Sequence, residues 1–346
     1  MSEAPDAPTA LGTIDDAARL VAAAKRVLLT CHLGPDGDSA GSMSALAALL
    51  RAAGKKVALY NPDPVPKTLR WLPNLPHLAH KLAPDARFDL TIVVDCGDRK
   101  LLGERFPGPE MTGPLLVLDH HAAARPFGAL YVCDPGAPSV GALVARLARA
   151  LGWPLSREAA PGIYVSLVAD TGSFRYSNTT GEAFHLAAEL VDQHGVDPWN
   201  VAERLGEQVP LARYRLLSAA LASITLELGG KIAVMTVTEE MVRGAGAAWA
   251  DSEGLVNYAR ALEGVEAGLL LTPAGEGKGI RVSLRSRGRA VDAGAVCLPL
   301  GGGGHKGAAG CRLAGDLAAA RVTMLDALAA ALGVPAAAPS AQAPVA

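Results

Sequence analysis

Between residues 27 and 170, short runs of leucine and β-branched residues alternate with helical patterns. VLLTC (27–31) is followed by the amphipathic stretch SAGSMSALAALLRAAG, and KVALY (56–60) comes next. DLTIVVD (89–95) and PLLVLD (114–119) are continuous apolar runs. Runs that are apolar on both faces and separated by helices predict a parallel sheet covered on both sides. GIYVSLVAD predicts an apolar helix that ends at Asp170. A helical region from about 181 to 228 then interrupts the alternation, broken at Asp197–Pro198 and Val209–Pro210. Beyond it the pattern is α+β: KIAVMTV (231–237), a helix near 254–262, EAGLLLT (266–272) and IRVSLRS (280–286). A Gly-rich turn at 301–304 and a final helix over 316–332 close the pattern, and no internal repeat is visible. The fold class is α/β: an N-terminal, mostly parallel sheet flanked by helices, a helical linker, and a smaller α+β domain.

At 346 residues the chain is longer than one core usually carries, which fits that two-domain reading. The expected division is a first domain over 13–195, a linker over 196–215 and a second domain over 216–333. The Pro/Ala-rich ends, 1–12 and 334–346, are expected to be disordered. Half the residues are apolar, yet the longest apolar runs stop well short of the ~20 residues of a membrane span. The acidic N-terminus lacks a signal-peptide pattern. Five cysteines without a CxxC point to a reducing cytoplasm. A net charge of −2 argues against a generic binder of long nucleic acid, which would need a basic surface.

Ligands of parallel α/β sheets bind at the carboxyl ends of the strands, and here those ends carry acids and histidines. After VLLT comes Cys31-His32-Leu33-Gly34-Pro35-Asp36-Gly37-Asp38-Ser39. After TIVV comes Asp95, after LLVL comes Asp119-His120-His121, and the apolar helix delivers Asp170. Any one Asp after a strand is ordinarily a cap or a turn former. The combination differs, because four of the eight histidines (His32, His120, His121, His305) sit in Gly/Asp motifs. Four or more acids in one crevice would repel and be protonated without a cation. Carboxylates with imidazoles form the ligand set of a hard to borderline divalent ion, Mn²⁺ or Mg²⁺ above all. Cys31 and Cys96 need not contribute, since neighbouring strand side chains point to opposite faces. His77, His80, His185 and His194 read as ordinary surface or helix residues.

HLGPDGDSAGS, VVDCGD, LDHH and VADTGSFRYSNTT resemble the four motifs of the DHH phosphoesterases. GGGGHKGAAG (301–310), with VSLRS before it, resembles the glycine-rich motif of the DHH-associated C-terminal domain. The resemblance covers about residues 13–332. Within the superfamily, the size and layout are most similar to bacterial bifunctional oligoribonuclease/PAP phosphatases of the nanoRNase type. Gly34, often Asn in relatives, and Ser39, often Ala, depart from the pattern at positions that bear on loop conformation. The resemblance implies a centre of two ions, usually Mn²⁺, with Mg²⁺ as the alternative. His32, Asp36 and Asp95 would hold one ion; Asp38, Asp95, His120 and Asp170 would hold the other, making Asp95 the bridge. Asp119 would orient a ligating histidine, and His121 would face the scissile phosphate as a catalytic group beside Asp95. Such a centre turns water into a nucleophile and neutralises phosphoryl charge.

In the second domain, Gly301 to Gly304 lack Walker spacing, but their N–H groups can converge on an anion, with His305 and Lys306 adding donors. In IRVSLRSRGR, Val282 and Leu284 face one way, and Arg281, Ser283, Arg285 and Arg287 the other. The rival reading is a flexible turn beside a solvated strand face. The resemblance points to Arg285 and His305 as nucleotide contacts, within a substrate-binding set of Arg285, Gly302, Gly303, Gly304, His305 and Lys306. Arg175 is a further candidate for phosphate contact, with structural pairing to an acid as its rival. The expected activity is metal-dependent hydrolysis of short oligoribonucleotides to mononucleotides, with removal of the 3′-phosphate of 3′-phosphoadenosine 5′-phosphate (PAP). The rivals are a phosphodiesterase acting on pApA or cyclic di-AMP, a RecJ-like exonuclease and a non-catalytic nucleotide sensor. The expected partners are short RNA or DNA oligonucleotides and nucleotide phosphates, without a membrane, and the family expectation is a homodimer.

Overall fold

Six short apolar segments build an all-parallel sheet: β1 (Ala10–Leu11), β2 (Arg26–Cys31), β3 (Lys56–Leu59), β4 (Leu90–Val94), β5 (Leu115–Asp119) and β6 (Leu130–Cys133). The structure is a computed structural model and describes residues 9–122, 124–207, 209–275 and 277–335. The expected disordered ends over 1–8 and 336–346 lie outside the described residues. The sheet belongs to the first of two units, Met1–Gln208 and Val209–Ala346. Its order is β1-β6-β5-β4-β2-β3. From β2 the chain goes first to β3 on one side and then to β4 on the other, so the order reverses between β2 and β4. The carboxyl ends of strands at such a reversal splay apart and leave a crevice. Every residue of β4 and β5 is buried, as continuous apolar runs require when helices cover both faces.

The first unit's helices are α1 (Ile14–Ala23), α2 (Gly37–Ala52), α3 (Pro109–Thr112), α4 (Val140–Ala150), α5 (Ala160–Asp170), α6 (Gly181–Asp192) and α7 (Pro198–Ala202). All of α2 from Asp38 to Leu50 is buried, and small residues let α5 cross it closely. A Cβ on Gly41 would lie 2.4 Å from the Gly162 carbonyl oxygen, and one on Gly162 would lie 2.5 Å from that of Gly41. The helices therefore meet backbone to backbone.

The second unit holds α8 (Leu211–Ala222), α9 (Glu239–Ala245), α10 (Val256–Ala261), α11 (Ala293–Cys297) and α12 (Leu317–Leu332). Its sheet runs β11 (Gly303–His305), β12 (Ala308–Leu313), β10 (Ile280–Ser286), β9 (Ala267–Pro273), β8 (Ile232–Thr236) and β7 (Thr225–Glu227). Along β10, Val282 and Leu284 are buried, Arg281 is exposed, and Ser283 and Arg285 are half-buried, as the alternation predicts.

Three local expectations are corrected. The helical region stops at Ala222, and 225–227 is an edge strand whose buried Glu227 accepts from Arg321 at 2.5 Å. Only part of the glycine run is a turn: Gly303 to His305 pair with β12, Gly303 opposite Gly310. Ala10 and Leu11, expected within a disordered end, add an edge strand because β6 offers them unpaired backbone groups.

Candidate metal centre

The crevice between β2 and β4 gathers the predicted residues of the first unit. His32 follows β2, Asp95 follows β4, and His120 and His121 follow β5. Asp36 and Asp38 come from the start of α2, and Asp170 is the last residue of α5. Three overlapping groups converge: His32 with Asp36 and Asp95, Asp38 with His120 and Asp170, and Asp95 with His120 and His121.

His32 Nε2 lies 3.8 Å from Asp36 Oδ1 and 3.6 Å from Asp95 Oδ2. His120 Nε2 lies 3.5 Å from Asp38 Oδ2, 3.9 Å from Asp95 Oδ1 and 3.7 Å from Asp170 Oδ2. These separations are longer than hydrogen bonds. They approach the roughly 3.0–3.4 Å between ligand atoms that surround one ion at about 2.1 Å. Asp95 divides its oxygens, Oδ2 toward His32 and Oδ1 toward His120. Its backbone is left-handed, at φ 56°. A non-glycine residue keeps that conformation only where its surroundings over-determine it, and such strain clusters at functional sites.

The ordinary structural role of Asp36 also holds. It is the N-cap of α2, and its Oδ1 accepts from the Ser39 N–H and hydroxyl, both at 3.0 Å. Ser39 thus completes a capping box. Gly34, the other departure, is left-handed at φ 65°, a conformation that Gly and Asn share. Asp170 sits at a helix C-terminus, where the dipole disfavours a negative charge. Burial, then the neighbouring carboxylate of Asp95, raises its carboxyl to about 6, against His120. Burial, with Asp95 and Asp170 beside it, also raises Asp38 well above the usual carboxylate range. Burial opposes charge on His120, but Asp38, Asp170 and Asp95 raise it to about 9. The acids and histidines thus hold protons for one another where divalent cations would replace them. The donor set, its convergence without mutual bonding and this excess of negative charge fit a cation centre.

Cys31 and Cys96 are buried, and burial drives the thiol of Cys96 to about 12 and that of Cys31 well up, so neither offers a thiolate. Asp119 corrects one expectation. Its Oδ1 lies 2.6 Å from His121 Nδ1, while His120 directs Nδ1 to the Ala137 carbonyl at 3.1 Å. The histidine that Asp119 orients is therefore His121, whose Nδ1 also lies 3.7 Å from Asp95 Oδ1. Arg175 is exposed, and its Nε donates to the Gly172 carbonyl at 2.8 Å, a backbone contact instead of an acid pair.

In the second unit, Arg281, Ser283 and Arg285 line a small pocket with Thr272, Ser252 and Glu253. Arg287 instead donates to the carbonyls of Val265 and Leu262, beyond the end of α10. Packing explains Gly302 and Gly304, whose added Cβ atoms would lie 2.2 Å and 2.4 Å from the carbonyl oxygens of Gly310 and Ala308. Gly303 has open space on that side. Lys306 is exposed, with its carbonyl held by Ser286 Oγ and Ala293 N–H. The His305 side chain lies outside the described residues.

The DHH family model for the N-terminal domain matches residues 26–167, and the DHHA1 domain model matches residues 229–332. The bifunctional oligoribonuclease and PAP phosphatase NrnA of Thermus thermophilus is 34% identical over 306 residues, covering 87% of this chain and 89% of that protein. The chain belongs to the DHH family of phosphoesterases. The NrnA of Bacillus subtilis is 26% identical and covers 83% of this chain and 89% of its own. The fold is also that of an exopolyphosphatase-related protein from Bacteroides fragilis, with a TM-score of 0.82 at 24% identity, covering 92% of this chain and 95% of that one. RecJ of Thermus thermophilus in complex with Mn²⁺ shares the fold at a TM-score of 0.52 and 19% identity, covering 96% of this chain and 57% of that one. Among the described residues, no helix is long and apolar enough to cross a membrane.

Around the DHH motifs the structure adds residues that motif reading passes over. Tyr131 donates its hydroxyl to Asp119, and Asn178 donates to Asp170 Oδ2 at 2.8 Å. Asn61, fully buried, donates to the carbonyls of Cys31 at 3.3 Å and His32 at 2.9 Å, fixing the exit of β2. Asn178 stands inside the DHH motif SFRYSNTT and is legible there; Tyr131 and Asn61 carry no local signal.

Proposed function

We propose that the chain is a metal-dependent phosphoesterase that hydrolyses short oligoribonucleotides to mononucleotides and removes the 3′-phosphate of PAP. The observation that carries this reading is the convergence of three histidines and four aspartates at one sheet reversal, with Asp95 dividing its oxygens between two groups. Similarity to the two NrnA proteins over most of the chain supports the substrate class. In this reading His32, Asp36 and Asp95 hold one divalent cation, and Asp38, Asp95, His120 and Asp170 hold a second. Mn²⁺ suits this mixed oxygen and imidazole set, with Mg²⁺ as the alternative. Bound there, the cations supply an activated water and neutralise phosphoryl charge. His121 faces the scissile phosphate as a hydrogen-bond donor, held in one orientation by Asp119, which Tyr131 steadies in turn. Gly303, Arg285, His305 and Lys306 hold the nucleotide beyond the scissile bond, and the active form is a homodimer in solution.

The test is an assay in Mn²⁺ with a labelled diribonucleotide, beside PAP and a cyclic dinucleotide. Mononucleotides from the first and AMP from the second are expected, with both activities lost in chelator. Cleavage of the cyclic dinucleotide alone would replace the oligoribonuclease reading with its nearest rival. Full turnover in chelator, with metal shown to be absent, would overturn the centre itself.

A further inference from the structure

Three serines outside the ligand set surround Asp38. Ser42, Ser139 and Ser166 are all fully buried. The Ser166 hydroxyl donates to Asp38 Oδ1 at 2.5 Å, and the Ser42 hydroxyl donates to the same oxygen at 3.2 Å. At the start of α4, the Val140 N–H points at the carboxylate, 3.1 Å from Oδ1 and 3.0 Å from Oδ2. Behind this layer, the Ser139 and Ser166 hydroxyl oxygens are hydrogen-bonded at 2.8 Å, and the Gly141 N–H donates to Ser166 Oγ at 2.8 Å. The Ala142 N–H donates in turn to Ser139 Oγ at 3.3 Å.

A hydroxyl has one proton to give, so the chain of donors has a direction. Ala142 donates to Ser139, Ser139 to Ser166, and Ser166 to the carboxylate. Oδ1 thereby takes both hydroxyl donors and a share of the Val140 N–H, while Oδ2 accepts only that shared N–H and faces His120 Nε2, 3.5 Å away. Ser166 also lies one helical turn before Asp170 on α5, so the helix that supplies one acid holds the other in place.

We propose that Ser166, backed by Ser139, is a positioning residue that locks the Asp38 carboxylate so that Oδ2 alone is presented to a divalent cation shared with His120 and Asp170. The inference rests on the metal-centre reading above. Groups that hold a metal ligand from behind change metal affinity by about 10- to 100-fold when removed. Ser166 should therefore act on one cation site and spare the other, where His32 and Asp36 have partners of their own.

The experiment is a Mn²⁺ titration of metal-free protein, followed by calorimetry and by the Mn²⁺ paramagnetic resonance signal. It is repeated in a His32→Ala background to tell the two sites apart. Ser166→Ala should weaken the Asp38–His120–Asp170 site about 10-fold or more and change the other less than about twofold. Ser42→Ala, which removes a longer contact, should weaken the same site by a smaller factor and decides the matter if Ser166→Ala does not fold. Equal weakening of both sites, or unchanged affinities in a variant that melts like wild type, would overturn the positioning role. A wild-type protein that binds no Mn²⁺ would instead sink the metal-centre reading, and this inference with it.

Discussion

Asp95 combines a left-handed backbone, near-complete burial and one oxygen toward each of two histidines. Removing its charge should weaken both cation sites together. Asp95→Asn is expected to lower turnover on every substrate by at least about 100-fold, with loss of bound metal measured by elemental analysis. Activity within tenfold of wild type would take Asp95 out of the centre. A second prediction concerns protons. Burial disfavours the imidazolium of His32, yet Asp36 and Asp95 raise it to about 11, and His120 stands at about 9. Both are above the ordinary histidine value, so the metal-free protein at pH 7.5 holds both protons, and a cation must displace them. Mn²⁺ affinity should therefore rise as pH climbs from about 6 to about 9, with about two protons released. Titration calorimetry in buffers of different ionisation enthalpy measures that release, and an enthalpy independent of buffer would refute it.

At the scale of elements, the spacing between Asp38 and Asp170 is set by α2 and α5, which touch at Gly41 and Gly162. An added Cβ on Gly162 would lie 2.5 Å from the Gly41 oxygen and 2.9 Å from the Ala45 nitrogen. Gly162→Ala should destabilise the first unit by about 1–3 kcal/mol despite its better helix propensity, and weaken Mn²⁺ binding as the helix ends separate. Wild-type melting and affinity in that variant would remove the contact from the account. Helix α5 was legible in the sequence as an apolar run with one terminal acid, whereas α2, read as amphipathic, is buried throughout from Asp38 to Leu50. Strands β2 to β5 were legible as continuous apolar runs. Short segments were not: LYVC of β6 is too brief to show a period, and Gly303 and Gly304 of β11 have no strand preference of their own. In the centre, the acids and histidines could be read because they end apolar runs or, as Asp36 and Asp38, stand in the Gly/Pro loop that follows one. The serine cradle could not, since Ser166 looks like a tolerated small residue in an apolar helix and its partner Ser139 lies 27 positions away. Which histidine Asp119 holds depends on the path of the chain after β5, which no spacing rule supplies.

Across the molecule the chemistry is divided: among the described residues every candidate cation ligand lies in the first unit, and Arg285 lies in the second. Arg285→Ala should spare metal content and cripple dinucleotide hydrolysis, because contacts with the non-reacting nucleotide position the scissile phosphate. Bis-p-nitrophenyl phosphate makes little use of such contacts. A charged hydrogen bond is worth about 1.5–3 kcal/mol, which implies a ~10- to 150-fold differential between the two substrates. Equal losses on both would assign Arg285 to the reacting centre. The two units also have separate cores, one around Leu29, Ile92 and Leu46, the other around Leu269, Leu284 and Met324. The candidate cation ligands belong to the first unit, so bound Mn²⁺ should act on the unfolding of that unit. At a hundred times its dissociation constant, a ligand adds about 2.7 kcal/mol to the unit that binds it and nothing to the other. In scanning calorimetry the transition of the first unit should climb with Mn²⁺ while that of the second stays put. Wherever the transition of the second unit is the lower one, added Mn²⁺ should not raise the temperature at which the enzyme fails.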